Sequence, residues 1–204
     1  MSKISTYSTI APTTSDMLIG TDVSNSNETK NFTVGQLLGL IPSNLSLYRG
    51  SFYDSVNQTI TTPQLATGIP VILRTTDTTC TNGISIVSDG TSLTRITFAN
   101  AGIYNLLFSA QLTNSGGTSQ TVDFWLRKNG STAAANIADT NGKVQLQGNA
   151  NYLMAAWNYF INVSANDYIQ LMWTSTSTNV SLVAEAANAV HPATPSIILT
   201  LNQV

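Results

Sequence analysis

The chain has 204 residues, a formal net charge of −2 and 9% charged side chains, against about 25% in an average soluble domain. Apolar residues stand at an ordinary 42%, and Ser, Thr, Asn and Gln fill the deficit with roughly two residues in five. This argues against a disordered, highly charged chain and against a basic patch for nucleic acid. With no apolar run near 18 residues, it also argues against membrane insertion through a helix.

The first residues, MSKISTYSTI, lack the apolar core of a signal peptide. Two apolar patches follow, Met17-Leu18-Ile19 and Phe32-Thr33-Val34, separated by the turn formers Asp22, Ser24, Asn25, Ser26 and Asn27. They predict a hairpin with strands near 16–22 and 28–34. Thr33 and Gln36 have capping-box spacing, Leu37, Leu38, Leu40 and Ile41 follow, and Pro42 ends a helix of about two turns. Such a segment buries too little apolar surface to fold alone. Residues 1–44 therefore need sister chains or another protein to lean on.

Residues 45–204 alternate short strand patterns with turn signals, as sandwiches and barrels do. The expected strands are Ser46–Tyr53, Thr59–Thr61, Ile69–Thr75, Ile84–Val87, Arg95–Phe98, Gly102–Leu112, Thr121–Lys128, Ala133–Thr140, Tyr152–Val163, Tyr168–Thr174, Val180–Ala186 and Ser196–Gln203. Turns are expected at 81–83, 89–90, 100–102, 115–117, 129–130 and 141–142, with Asn129-Gly130 as the strongest hairpin signal. Ala184, Ala186, Ala187 and Ala189 are read as strand and loop over helix.

In GIYNLLFSAQL, Tyr104, Leu106, Phe108, Ala110 and Leu112 share one almost wholly apolar face, assigned to the core. The opposite face, Ile103, Asn105, Leu107, Ser109 and Gln111, is mixed where a solvent face would be plainly polar. YIQLMW likewise sets Tyr168, Gln170 and Met172 against Ile169, Leu171 and Trp173. Such second faces suggest subunit contacts.

The stock of catalytic side chains is nearly empty. His191 lies in a Pro-rich loop without partners for acid–base work, and Cys80 has no neighbouring cation to activate it. Asp16 with Asp22, or Asp77 with Asp89, would make at most a weak calcium site. Gly116-Gly117 opens no helix, so it is no phosphate loop. Sequons at Asn44, Asn162 and Asn179 follow from composition. Trp125, Trp157 and Trp173 are read as core or interface residues more than sugar platforms, and Arg127-Lys128 as a solvated hairpin tip. No enzyme and no cofactor are expected. The remaining enzymatic option is a paired-carboxylate glycosidase drawn from Asp123, Asp139, Asp167 and Glu185.

FANAGIYNLLFSAQL, FWLRKNG, VSANDYIQL and PSIILTLNQV, in that order over residues 47–204, resemble the complement globular-head and tumour necrosis factor-like (TNF-like) jelly roll. Asn166 stands where that family usually has Gly, a change Asn tolerates in a left-handed turn. YRGSFYDSVNQT and the closing PSIILTLNQV resemble the version found in tailed-phage virion proteins. DMLIGTDVSNSNETKNFTVGQLL resembles short leaders on phage fibre and head-associated proteins.

The resemblance implies an all-β jelly-roll sandwich at 45–204, preceded by a hairpin and short helix at 1–44. It implies a homotrimeric fibre or decoration knob on a virion surface, assembled in the host cytoplasm. Ile103, Asn105, Leu107 and Ser109 would line the trimer interface, while Met17, Leu18, Ile19, Phe32, Val34, Leu37 and Leu38 would anchor the chain to a capsid or tail protein. The alternatives are a receptor-binding tail tip that recognises host-surface glycan, and a secreted bacterial lectin-like module. The missing signal peptide disfavours the last.

Overall fold

A computed structural model describes residues 11–22, 27–39 and 48–204. The expectations placed on Leu40, Ile41, Pro42, Asn44 and the start of the Ser46 strand lie outside the described residues. Internal contacts divide the chain into two units, Met1–Ser46 and Leu47–Val204.

In the first unit, β1 (Met17–Asp22) and β2 (Glu28–Thr33) pair antiparallel, with Met17 opposite Thr33 and Asp22 opposite Glu28. Helix α1 (Val34–Gly39) starts on a reciprocal capping box. Thr33 N donates to Gln36 Oε1 at 2.9 Å, and Gln36 N donates to Thr33 Oγ1 at 3.0 Å. Asp16 precedes β1 and accepts a hydrogen bond from Thr13 N, whereas Asp22 ends the strand and pairs with Lys30. The two carboxylates thus stand at opposite ends of β1, about 20 Å apart at strand rise, and do not meet.

The second unit is a sandwich of two antiparallel sheets. The strands are β3 (Arg49–Asp54), β4 (Gln58–Thr59), β5 (Ile69–Pro70), β6 (Thr75–Thr76), β7 (Ile84–Ser88), β8 (Leu93–Phe98), β9 (Gly102–Asn114), β10 (Gln120–Lys128), β11 (Gly142–Leu146), β12 (Asn151–Val163), β13 (Tyr168–Ser175), β14 (Val180–Leu182) and β15 (Ile197–Gln203). One sheet runs β12–β9–β15–β3–β6, with β14 pairing residues 112–114 of β9, past the end of β15, and β4 pairing β14 in turn. The other runs β11–β10–β13–β8–β7, with β5 beside β13.

The core lies where the alternation places it. Tyr104, Leu106, Phe108, Ala110 and Leu112 are all buried, opposed by Phe124, Leu126, Leu171 and Trp173 from the other sheet. The Phe108 ring packs 5.1 Å from that of Phe124 and 5.6 Å from that of Trp157. Asp54 is also fully buried. It pairs with Arg74 and accepts from Gln58 Nε2 at 2.9 Å, yet desolvation still pushes its carboxyl above the usual range. Gln58 also brackets Ile72, donating to its carbonyl and accepting from its N–H at 2.9 Å each. That amide replaces ladder bonds where the chain crosses between sheets.

Four expected strands differ in the structure. Ala133–Thr140 contains a 3₁₀ turn at Ala133–Ala135, and the strand begins only at Gly142, because alanines carry little preference for a pleated surface. Asn129-Gly130 is therefore no two-residue hairpin: β10 returns through a lone Arg127–Asn136 bridge, and β11 pairs with residues 120–124. Ile69–Thr75 breaks into β5 and β6, since Pro70 cannot donate to a ladder and the segment changes sheets. Beyond β4, Thr61 opens a second capped turn, α2 (Thr62–Leu65), with Thr61 N donating to Gln64 Oε1 at 2.8 Å. Finally, β14 stops at Leu182, and Glu185 makes only an isolated bridge with Thr194.

Candidate interaction face

The outward face of the β12–β9–β15–β3 sheet gathers side chains from strands far apart in sequence. Because the sheet alternates, Ile103, Asn105, Leu107 and Ser109 all point away from the core. Registry sets Asn105 between Phe160 and Asn202, Leu107 between Asn158 and Thr200, and Ser109 between Ala156 and Ile198. Ile103 is 50% exposed, Leu107 46%, Met154 60% and Phe160 70%, so the face is open and substantially apolar. Asn105 and Ser109 are half-buried among them, and Asn105 Oδ1 is covered without a hydrogen-bond partner.

Tyr152, Met154, Phe160 and Ile198 belong to the same face, four residues that the sequence reading did not assign to it. The signal was available. NYLMAAWNYFINV alternates just as cleanly, placing Ala155, Ile161 and Val163 inward and Met154 and Phe160 outward. On β13 the expectation of a subunit contact fails: Met172 is 0% and Gln170 5% exposed within the single chain.

In the first unit the described anchoring residues are open: Met17, Leu18, Ile19, Phe32, Leu37 and Leu38 are exposed and Val34 is half-buried. This fits a segment that cannot bury its own apolar surface.

The remaining candidates separate. His191 is exposed, its Nε2 2.8 Å from Asn188 Nδ2. Cys80 is a free, exposed thiol. Asp77 serves its own turn, accepting from Thr79 N–H and hydroxyl, which hold its carboxyl below the usual value. Asp89 likewise accepts from Thr91 and Ser92 N–H and from the Thr94 hydroxyl. Asp167 accepts from Asn129 Nδ2 at 2.6 Å and Ser164 N at 2.7 Å, and pairs with Lys128 at 2.7 Å. These partners, Lys128 first, hold it at about 2. Asp123 is engaged by Asn141 and Lys143, and Glu185 lies exposed on its bridge. Asp123 and Asp139 do reach the walls of one shallow depression beside Trp125. Among the described residues no three His, Cys, Asp or Glu side chains cluster to hold a metal, and no helix is long and apolar enough to cross a membrane.

Two long antiparallel strands, β9 and β12, side by side in one sheet, a six-strand partner sheet and a late strand inserted between β9 and β3 match a TNF-like jelly roll. A solved structure described as Eiger TNF from S. frugiperda superposes with a TM-score of 0.51 at 10% identity, covering 78% of this chain and 92% of that one. At that identity the likeness establishes the fold. No family model and no curated protein sequence matches the chain.

Proposed function

We propose that this protein is a non-enzymatic structural component of a phage virion. Its jelly roll is a homotrimeric knob, attached through the N-terminal hairpin and helix to a capsid or tail protein. The observation that carries the trimer is the open apolar face around Ile103, Leu107, Met154 and Phe160. Four strands at about 4.8 Å spacing, up to 13 residues long, give that face a ceiling of about 800 Å², one partner's share of a standard interface. TNF-like domains are typically trimeric, which supports three copies around one axis. The virion role rests on the resemblance of the leader and of both ends of the jelly roll to phage proteins. The exposed Met17, Ile19, Leu37 and Leu38 are the surface a capsid or tail partner would cover.

Light scattering tests the assembly: the full chain has the mass of a trimer, and a monomer would refute the reading. Deleting residues 1–44 leaves the mass per particle that of a trimer of the shortened chain but abolishes copurification with virions. A truncated protein that still copurifies would refute the anchor.

A further inference from the structure

The outward face of the second sheet carries a different surface. A cleft of about 680 Å³ opens there, lined by Arg95, Trp125, Arg127, Gln170 and Thr174 together with residues 66–68 and 131–133, Pro70, Asp89, Thr91 and Asn136. Arg127 lies opposite Gln170 across β10 and β13, and the β13–β8 register, one step beyond Ile169–Ile96, brings Arg95 to the other side of Gln170. Two guanidinium-bearing residues thus flank one glutamine, with backbones about 10 Å apart.

Neither arginine takes part in the ion pairs of the described residues. Arg127 is only 8% exposed, an uncommon place for an uncompensated charge. Its Nε donates to Asn136 Oδ1 at 3.1 Å and its Nη1 to the Ser131 carbonyl at 3.2 Å, which leaves Nη2. Arg95 lies 4.7 Å over the Tyr168 ring, and its Nε is buried without a partner. The one carboxylate on the cleft wall, Asp89, is already satisfied by its own turn. Desolvation raises it, but bonds from Ser92, Thr91 and Thr94 and the Arg95 charge outweigh that.

Trp125 is fixed beside them. Its Nε1 donates at 2.9 Å to the same Asn136 Oδ1 that orients Arg127. Its ring edge lies so close to Gly68 that a side chain there would collide with it. Trp125, Asn136 and Thr174 also border the second depression, of about 310 Å³, which contains Asp123 and Asp139. One rigid indole therefore stands between the arginine-lined hollow and the one that holds Asp123 and Asp139.

We propose that this cleft binds an acidic saccharide, with the carboxylate of one sugar unit between Arg95 and Arg127 and a neutral unit packed beyond Trp125. An arginine fork matches a carboxylate, an indole offers an apolar face with a polar rim, and Asp139, beyond the indole, would disfavour a second anionic unit there. The site is on the sheet opposite the face assigned to the trimer, so it stands or falls independently of the particle role.

The test is calorimetric titration of the full chain with 3′-sialyllactose and with a tetrasaccharide alternating glucuronate and N-acetylglucosamine. Lactose, the carboxyl methyl ester of sialyllactose and inorganic phosphate are the controls. At least one acidic sugar binds, the esterified and neutral sugars bind at least about tenfold more weakly, and Arg95→Gln and Arg127→Gln each cost at least about tenfold. Circular dichroism checks that each variant is folded. Should Arg127→Gln not fold, Arg95→Gln and the methyl ester decide. Binding of neither acidic sugar, equal binding of lactose or the ester, displacement by phosphate at equal concentration, or indifference to the arginine substitutions would each overturn the proposal.

Discussion

On the sheet that carries β9, outward residues such as Leu107 and Phe160 stand uncovered by the chain's own loops. On the sheet that carries β13, outward Gln170 and Met172 are buried within the chain. Both strands show two partly apolar faces in sequence, so hydrophobicity alone does not say which face awaits another molecule. What separates them is whether the chain returns to cover the face. The α2 segment returns over the outward face of β13, where the Thr174 hydroxyl donates to the Leu65 carbonyl at 2.8 Å. Asn158 and Phe160 remain exposed beside β9.

The sharpest way to break this contrast is to place one charge on each face. Met172→Asp buries a carboxylate with no partner and should cost several kcal/mol, enough to unfold a marginal domain. Thermal denaturation would show a lost or much lowered transition, and an unchanged Tm would mean the face is not closed. Leu107→Asp should leave the fold of each copy within about 1 kcal/mol, because the site is half-open, yet bring like charges together at the proposed axis. Sedimentation should then report folded monomers. A trimer as stable as the unmodified protein would move the interface elsewhere.

The smallest effect lies at the turn joining β12 to β13, and hence one sheet to the other. Asp167 has a folded-state value of about 2, below its ordinary 3.8, so its contribution is present above pH 3.8 and is lost as pH falls through about 2. An ion pair so near solvent contributes at most about 1 kcal/mol. Asp167→Asn should therefore lower Tm slightly at pH 7 and flatten its decline between pH 4 and 2. Identical acid slopes would show that the Lys128–Asp167 pair contributes nothing to the linkage.

The sheet with the open face was the more legible one. Thirteen alternating residues in β9 fix which side is inward with little ambiguity, and all five residues assigned to the core from that strand are buried. Helix α1 was equally plain from Thr33 and Gln36. Helix α2 carries the same spacing at Thr61 and Gln64 but lacks a run of leucines, and its threonines suit a strand just as well. The arginine cleft was out of reach for another reason. Arg127 beside a Lys-Asn-Gly step has the sequence of a solvated tip. Its burial comes from the 131–136 segment folding back as a 3₁₀ turn, and its neighbour Arg95 arrives only through the register of β13 with β8. Local periodicity carries no information on which distant strands become neighbours.

Strand β15, latest of the strands in sequence, sits between β9 and β3 with hydrogen bonds to both. Until it arrives, those two strands face each other across a gap and each presents an unpaired ladder, the kind of edge on which chains aggregate. Closure joins residues such as Asn202 and Arg49, separated by most of the jelly roll, so loop entropy must be met before these contacts give anything back. Folding of this domain belongs in the millisecond-to-second range typical of non-local β proteins. A ribosome that has released everything up to Ala193 still holds a sheet with a missing middle, exposed to whatever else in the cell can offer a strand.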